Sequence, residues 1–477
     1  MSKRVPLGIR ALMQINPRYL PFADAATLDL PLPRLLRLAL FQVSVGMVSV
    51  LMVGTLNRVM IVEMGVAAWL VSLMVAVPLL FAPFRALIGF RSDTYRSVLG
   101  WKRVPYIWLG TMLQFCGLAF MPFALILLSD PGRAPIWIGQ ISAALAFLIA
   151  GAGAQITQTT GLALATDLST SQTRPRVVAL MYVMLLLGMV FFGVLFGHLL
   201  DNFSNYRLIQ VVQGAALVTL VLNLFALWKQ EARRPNTTPK STLQPSFRQS
   251  WQEFSTAGRP MRFLLAVGLG TTAFSMQDII LEPYGGEILH LPVGSTTTLT
   301  ALMALGALFA FGIASRQLLC GAHPLRLAAL GVLVGTVAFS LVIFAEPLQA
   351  PLLFRAGASL IGFGGGLFTV GTLTAAMDLE SHGFTGMALG AWGAVQATCA
   401  GAAVFLGGAL RDIVSSLATA GALGIALQNT ATGYSFVYHL ELFLLFVTLI
   451  ALGPLVSTTA SSRSVPQSRF GLAEFPG

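Results

Sequence analysis

Charge is scarce in this chain: Asp, Glu, Lys and Arg together make up 10% of its 477 residues, against 56% hydrophobic residues. With a mean hydropathy of +0.79, that shortage excludes a soluble globule of this size and places the chain in a bilayer. Acids are scarcer than bases, 18 against 29. The resulting net charge of +11 does not indicate nucleic acid, because the basic residues lie between apolar runs, where membrane orientation and anionic lipid account for them. Only three cysteines occur, Cys116, Cys320 and Cys399, at spacings that suggest neither a disulfide framework nor a metal cluster. No nucleophile, metal or cofactor motif points to an enzyme, and the polar, basic first stretch is the wrong layout for a cleaved signal peptide.

What is present is a long series of apolar runs, each near the roughly 20 residues that a span needs. They predict an all-α polytopic membrane protein with twelve transmembrane helices, at 38–58, 66–87, 104–128, 135–163, 177–200 and 207–228, then 263–282, 296–315, 325–345, 352–376, 384–410 and 434–456. The expected organisation is an N-terminal segment (1–37), a first six-helix half (38–228), a linker (229–262), a second half (263–456) and a tail (457–477). With both termini cytoplasmic, only Arg58, Arg133, Arg207, Arg355 and Arg411 of the basic residues fall outside, which satisfies the positive-inside rule.

The halves resemble each other. Gly151-Ala152-Gly153 precedes Asp167 as Gly362-Phe363-Gly364 precedes Asp378, and Asn57-Arg58-Val59-Met60 has a counterpart in Gln277-Asp278-Ile279-Ile280. Such tandem repeats are the pattern of major-facilitator transporters. The loop after helix 2 adds a stretched version of the superfamily's Gly-x-x-x-Asp segment with its basic residues: Gly89, Asp93, Arg96, Gly100, Lys102 and Arg103. Asp93, with Arg85, Arg96, Lys102, Arg103, Asp167 and Asp378, is a candidate conformational latch; the competing reading is a solvated, positive-inside loop.

Polar residues inside spans usually face a bundle interior. Arg58 near the end of helix 1 is expected to pair with Asp278 or Glu282 of helix 7 and close the outer face. Alternatively it snorkels to the interface with Glu63. Deeper groups read as uncharged amides, among them Gln155 and Gln396, with no carboxylate near mid-span, which argues against proton-coupled symport. His198 and His439 are candidates for axial ligation of a tetrapyrrole metal, weighed against ordinary headgroup-facing histidines.

The same motifs carry a more specific resemblance. Asn57-Arg58-Val59-Met60-Ile61-Val62-Glu63, Phe81-Ala82-Pro83-Phe84-Arg85, Arg91-Ser92-Asp93-Thr94, Gly100-Trp101-Lys102-Arg103-Val104-Pro105-Tyr106-Ile107-Trp108 and Gln277-Asp278-Ile279-Ile280-Leu281-Glu282-Pro283-Tyr284-Gly285-Gly286 resemble signatures of the PucC/LhaA family of major-facilitator-like proteins from phototrophic bacteria, with the LhaA type slightly favoured. The resemblance implies an assembly factor for light-harvesting antenna, particularly the core antenna, in the photosynthetic inner membrane. Its implied partners are antenna polypeptides, the reaction-centre complex and the bacteriochlorophyll biosynthesis machinery. No cofactor is required by the sequence; bacteriochlorophyll is the implied cargo, with His198, His439, Asn57, Gln155, Gln277 and Gln396 as its candidate contacts. The rival from another class is a secondary transporter of a small solute.

Overall fold

A computed structural model of the chain describes residues 30–80, 101, 103–129, 135–170, 173–231, 260–380 and 387–458. Twelve main helices run through them: α1 (Leu32–Glu63), α2 (Ala68–Leu80), α3 (Val104–Ser129), α4 (Ile136–Leu168), α5 (Arg174–Leu199), α6 (Asn205–Leu227), α7 (Pro260–Glu287), α8 (Val293–Leu319), α9 (Pro324–Ala345), α10 (Pro351–Glu380), α11 (Met387–Thr419) and α12 (Thr432–Thr458). Eleven are long and apolar enough to cross a membrane. The exception, α2, is followed by residues 81–100, which lie outside the described set.

The helices outrun the apolar runs that announce them, because a charged residue does not stop a helix. The first α-helical segment of α1 begins beside Pro31 and continues past Arg34 and Arg37, while α8 starts after Pro292 in extended conformation; a proline costs no hydrogen bond at a helix's first turn. Exposed apolar side chains recur at helical spacing, as at Leu330, Leu333 and Val337 on α9 or Phe443, Phe446 and Ile450 on α12. In water such stripes are a liability; in a bilayer they are the faces turned to lipid.

Helices α1–α6 and α7–α12 form the two halves of a major-facilitator-like fold. The halves meet along α2 against α11 and α5 against α8, and α1 adds a contact to α8, the two main seams exchanging under the pseudo-twofold that relates the halves. Small residues set the distance: Gly197 of α5 and Gly294 of α8 lie backbone to backbone. Without a hydrophobic drive between helices in lipid, this close approach and polar contacts hold the halves together. Toward the end of the bundle where Glu63 lies, cross-half hydrogen bonds include Thr55 with Thr297 (3.3 Å), Asn57 to the Ile279 carbonyl (2.8 Å), Arg58 to the Leu291 carbonyl (3.2 Å) and the Trp69 amide to Asp412 (2.8 Å).

Candidate functional site at the interrupted helices

The helices that open each half, α1 and α7, are both irregular at matching positions. In α1, Val50–Thr55 and Val59–Glu63 are π-helical. In α7 the α-helix stops at Ser275, turns through a 3₁₀ segment at Met276–Asp278, and resumes at Leu281–Glu287. Such irregularities recur at functional positions, and inside a bilayer the backbone groups they free must find partners within the protein. Asn57 supplies one. Its amide donates to the Ile279 carbonyl at the α7 break, and also to the Val53 carbonyl one turn back at 3.0 Å. Asn57→Leu leaves the buried Ile279 carbonyl without that donor and is expected to cost about 1–3 kcal/mol, measured as a lower thermal midpoint of the detergent-purified protein; an unchanged midpoint would contradict this account of the break.

The π turns also decide the partner of Arg58, which is 4% exposed. A π turn closes its hydrogen bond from residue i to i+5, so Arg58, which opens the second π segment, and Glu63, which ends it, come to the same side and form an ion pair. The structure therefore corrects the expected pairing of Arg58 with Asp278 or Glu282. Glu282 lies near Arg58, but its Oε1 accepts from the Thr300 hydroxyl at 2.6 Å, and its Oε2 has no hydrogen-bond partner among the described residues. Its carboxylate lies against Gly54 of α1; a Cβ there would stand 2.3 Å from Oε1, so the carboxylate would have to move. Asp278 is half-buried and accepts a hydrogen bond from the amide of Gln277, which is itself fully buried.

A second correction concerns carboxylates in the spans. Glu441 is fully buried in α12 with both oxygens lacking a side-chain partner among the described residues, and it stands beside Asp278 and the backbone of Gln277. The statement that no carboxylate lies deep in a span fails here, and with it the sequence argument against proton coupling. Hydropathy alone does not reveal this placement; the burial is made by packing against α7 and α9.

Sequence reasoning also missed a charged cluster at the Glu63 end. Arg411 of α11 pairs with Glu287 of α7 and with Asp412 (2.8 Å), donates to the Tyr434 hydroxyl (2.9 Å), and has its guanidinium carbon 4.5 Å from the centre of that ring. Tyr434 in turn donates to Glu287 at 2.9 Å. Asp412 then reaches across to the other half, accepting from the Trp69 amide in the first turn of α2, where free N–H groups and the helix dipole favour an anion.

The remaining candidates scatter. Arg103 pairs with Asp167 at 2.9 Å and so ties α3 to α4 within the first half. Glu231, just past α6, accepts from the Arg103 and Val104 amides and caps α3. Arg85, Asp93, Arg96 and Lys102 lie outside the described residues, as does the side chain of Asp378 on α10. Gln155 on α4 and Gln396 on α11 are half-buried, and no described hydrogen bond joins them to the Asn57–Gln277 region. His198 is exposed at the end of α5 and lines two apolar grooves, one of about 630 Å³ against α8 and α10 and one of about 610 Å³ against α1 and α6. His439 is exposed on α12, its Nδ1 2.7 Å from the Ser435 carbonyl. The carbonyl can only accept, so Nδ1 is the donor in this contact.

Comparison with known proteins then decides the family. The profile described as "PUCC protein" matches residues 55–460. The chain belongs to the PucC family. It is 54% identical over 475 residues to an uncharacterised protein of the puhA–bchM intergenic region of Rhodobacter capsulatus, covering 98% of this chain and 99% of that one. It is 52% identical over 420 residues to Protein PucC of Rhodovulum sulfidophilum, covering 87% and 92%. A more distant relative, 29% identical over 393 residues and covering 80% and 88%, is the "Bacteriochlorophyll synthase 44.5 kDa chain" of Rhodobacter capsulatus. Among solved structures, a bacterial homologue of the human lysosomal transporter Spinster superposes with a TM-score of 0.64 at 15% identity, covering 91% and 98%. At that identity the likeness speaks for the fold alone.

Proposed function

We propose that this PucC-family protein is an assembly factor for bacterial light-harvesting antenna, with the core antenna as client, handling or delivering bacteriochlorophyll, newly inserted antenna polypeptides, or both. The observation that carries the reading is the match to the PucC family from residue 55 to 460, joined by 52% identity over 87% of this chain to a protein named PucC. The name of the distant relative associates the wider group with bacteriochlorophyll. The membrane in question is the photosynthetic inner membrane, with both termini cytoplasmic, and the reaction-centre complex and the pigment-synthesising enzymes are its neighbours.

The geometry is compatible with an apolar client. The grooves beside His198 combine apolar side chains, such as Val190, Leu302, Phe192 and Phe196, with a few polar ones, among them Asp201, Arg355 and Arg207. A flat macrocycle or an antenna helix finds apolar surface to lie against in such a groove, with a few polar groups to orient it. Deleting the gene in a pigment-making phototroph is expected to reduce core-antenna absorption while extractable bacteriochlorophyll persists, with recovery on re-expression. An unchanged antenna spectrum would overturn the reading. A second reading, a secondary transporter of a small solute, draws on one specific observation: the buried carboxylates of α7 and α12, which are the kind of group that proton-driven carriers use. Flux assays in proteoliposomes separate the two.

A further inference from the structure

Deep in the second half lies a set of oxygen atoms that the assembly role does not use. Glu441 has both carboxylate oxygens buried and without a hydrogen-bond partner among the described residues. Tyr438, three residues earlier and so on the same face of α12, is equally buried, and its hydroxyl also lacks a partner among them while facing Glu441. Across from them, at the turn where α7 breaks, Gln277 commits its amide hydrogens to the Phe274 carbonyl (3.3 Å) and to Asp278, which leaves its Oε1 unpartnered. Aromatic rings wall the cluster: Tyr284 and Phe339 lie 5.4 and 6.4 Å, centre to centre, from the Tyr438 ring.

A count of donors and acceptors exposes the imbalance. Two ionised carboxylates and an amide oxygen only accept, and the donors at hand are the Tyr438 hydroxyl and the Gln277 backbone N–H beside Glu441, too few for the acceptors present. Buried acceptors without donors are costly in a low-dielectric interior. No cation pairs with either carboxylate among the described residues: Arg411 is engaged with Glu287 and Asp412, and Arg58 with Glu63. The other ionisable groups facing the cluster are Tyr284 of α7 and Tyr434 of α12, with Glu346 beyond the end of α9 beside Tyr284. Among the described residues no group of three or more His, Cys, Asp or Glu side chains is placed to hold a metal ion. The species that fits is the smallest cation, which turns one acceptor into a donor.

We propose that Glu441 and Asp278 form a proton-binding site in the core of the second half. Asp278, the half-buried member, is where the proton arrives, and Glu441 is where it is held, as a carboxylic acid that donates to Asp278 or to the Gln277 Oε1. Loaded, the site lets the α7 turn pack against α12. Emptied, it holds two carboxylates side by side, and the turn must open for water to solvate them, so the site couples proton binding to the helix break that Asn57 bridges from α1. The proposal is independent of the cargo and stands whichever client the protein serves.

The test is an acid-minus-alkaline infrared difference spectrum of the full-length protein in lipid nanodiscs, recorded in H₂O and D₂O. The expected result is a protonated-carboxyl C=O band that shifts in D₂O, is lost in Glu441→Gln and is displaced in Asp278→Asn. Tyr438→Phe keeps both carboxyls, removes the neighbouring donor and is expected to shift the same band. If Glu441→Gln does not yield monodisperse protein, the other two variants decide, and a band unmoved by both overturns the proposal. So does a band that survives Glu441→Gln, or a Glu441 carboxylate signal that responds to Na⁺ at constant pH and not to pH itself.

Discussion

Replacing Arg411 by methionine is expected to destabilise the purified protein by about 3 kcal/mol, the lower edge of the range for breaking a buried pair, since the side chains involved keep 15–25% of their surface exposed. The cause is what remains behind. Without the guanidinium, Glu287 and Asp412 face a partly dehydrated site as uncompensated anions, and the Tyr434 ring loses the cation stacked over it. Adding Glu287→Gln to the same chain removes one of those stranded charges and is expected to recover part of the loss; a double variant no more stable than Arg411→Met would show that the pair is not the source. Because Asp412 also accepts from the Trp69 amide across the seam, loosening Arg411 also weakens a link between the halves. Thermal unfolding of the single and double variants, followed by the monodisperse fraction in detergent, reads both effects.

A comparably large effect is expected at Gly362, where α10 crosses α8. A Cβ there would lie 2.0 Å from the Met303 carbonyl oxygen, and Gly306 of α8 meets the Ser359 carbonyl of α10 in the same way at 2.1 Å. These are backbone-to-backbone contacts, so no side chain can swing aside, and one methyl group forces the helices apart along the whole crossing. Gly362→Ala is expected to cost about 1–3 kcal/mol or more by overpacking. Gly312, also on α8, has open space where its Cβ would be, so Gly312→Ala is expected to be neutral or to gain up to about 1 kcal/mol from reduced backbone entropy in the unfolded chain. Equal loss in both variants would mean that close helix approach is not what the glycines provide.

The bilayer class and the two-half organisation were legible because each span must bury its own backbone hydrogen bonds and so declares itself as an apolar run; of the twelve spans expected, eleven are long and apolar enough among the described residues. Helix ends were not, since Arg34, Arg37 and Arg58 continue helices whose ends are set by neighbouring prolines and turns. Asn57, Gln277 and Glu282 were recognisable as costly polar groups, and the structure gathers them around the α1 and α7 interruptions. Which of them touch depends on the π turns of α1, invisible to a periodicity of 3.6, and this is why Arg58 finds Glu63. Glu441 was not legible as a buried acid, since it lies two residues after His439 in an apolar run with no spacing to mark it. Its burial comes from α7 and α9, elements far away in sequence. Arg411 lay among residues assigned to a loop, with no spacing to mark its partners at positions 287 and 434.

The measurement that bears most directly on the assembly role is gentle purification of the tagged full-length protein from a pigment-making phototroph, with an absorption spectrum and an inventory of co-purifying proteins. Bacteriochlorophyll at a fixed ratio to the chain, together with core-antenna polypeptides or reaction-centre subunits, is the predicted result. His198→Ala and His439→Ala then tell which groove or face holds the pigment. A colourless protein free of antenna partners would contradict a stable role in antenna assembly.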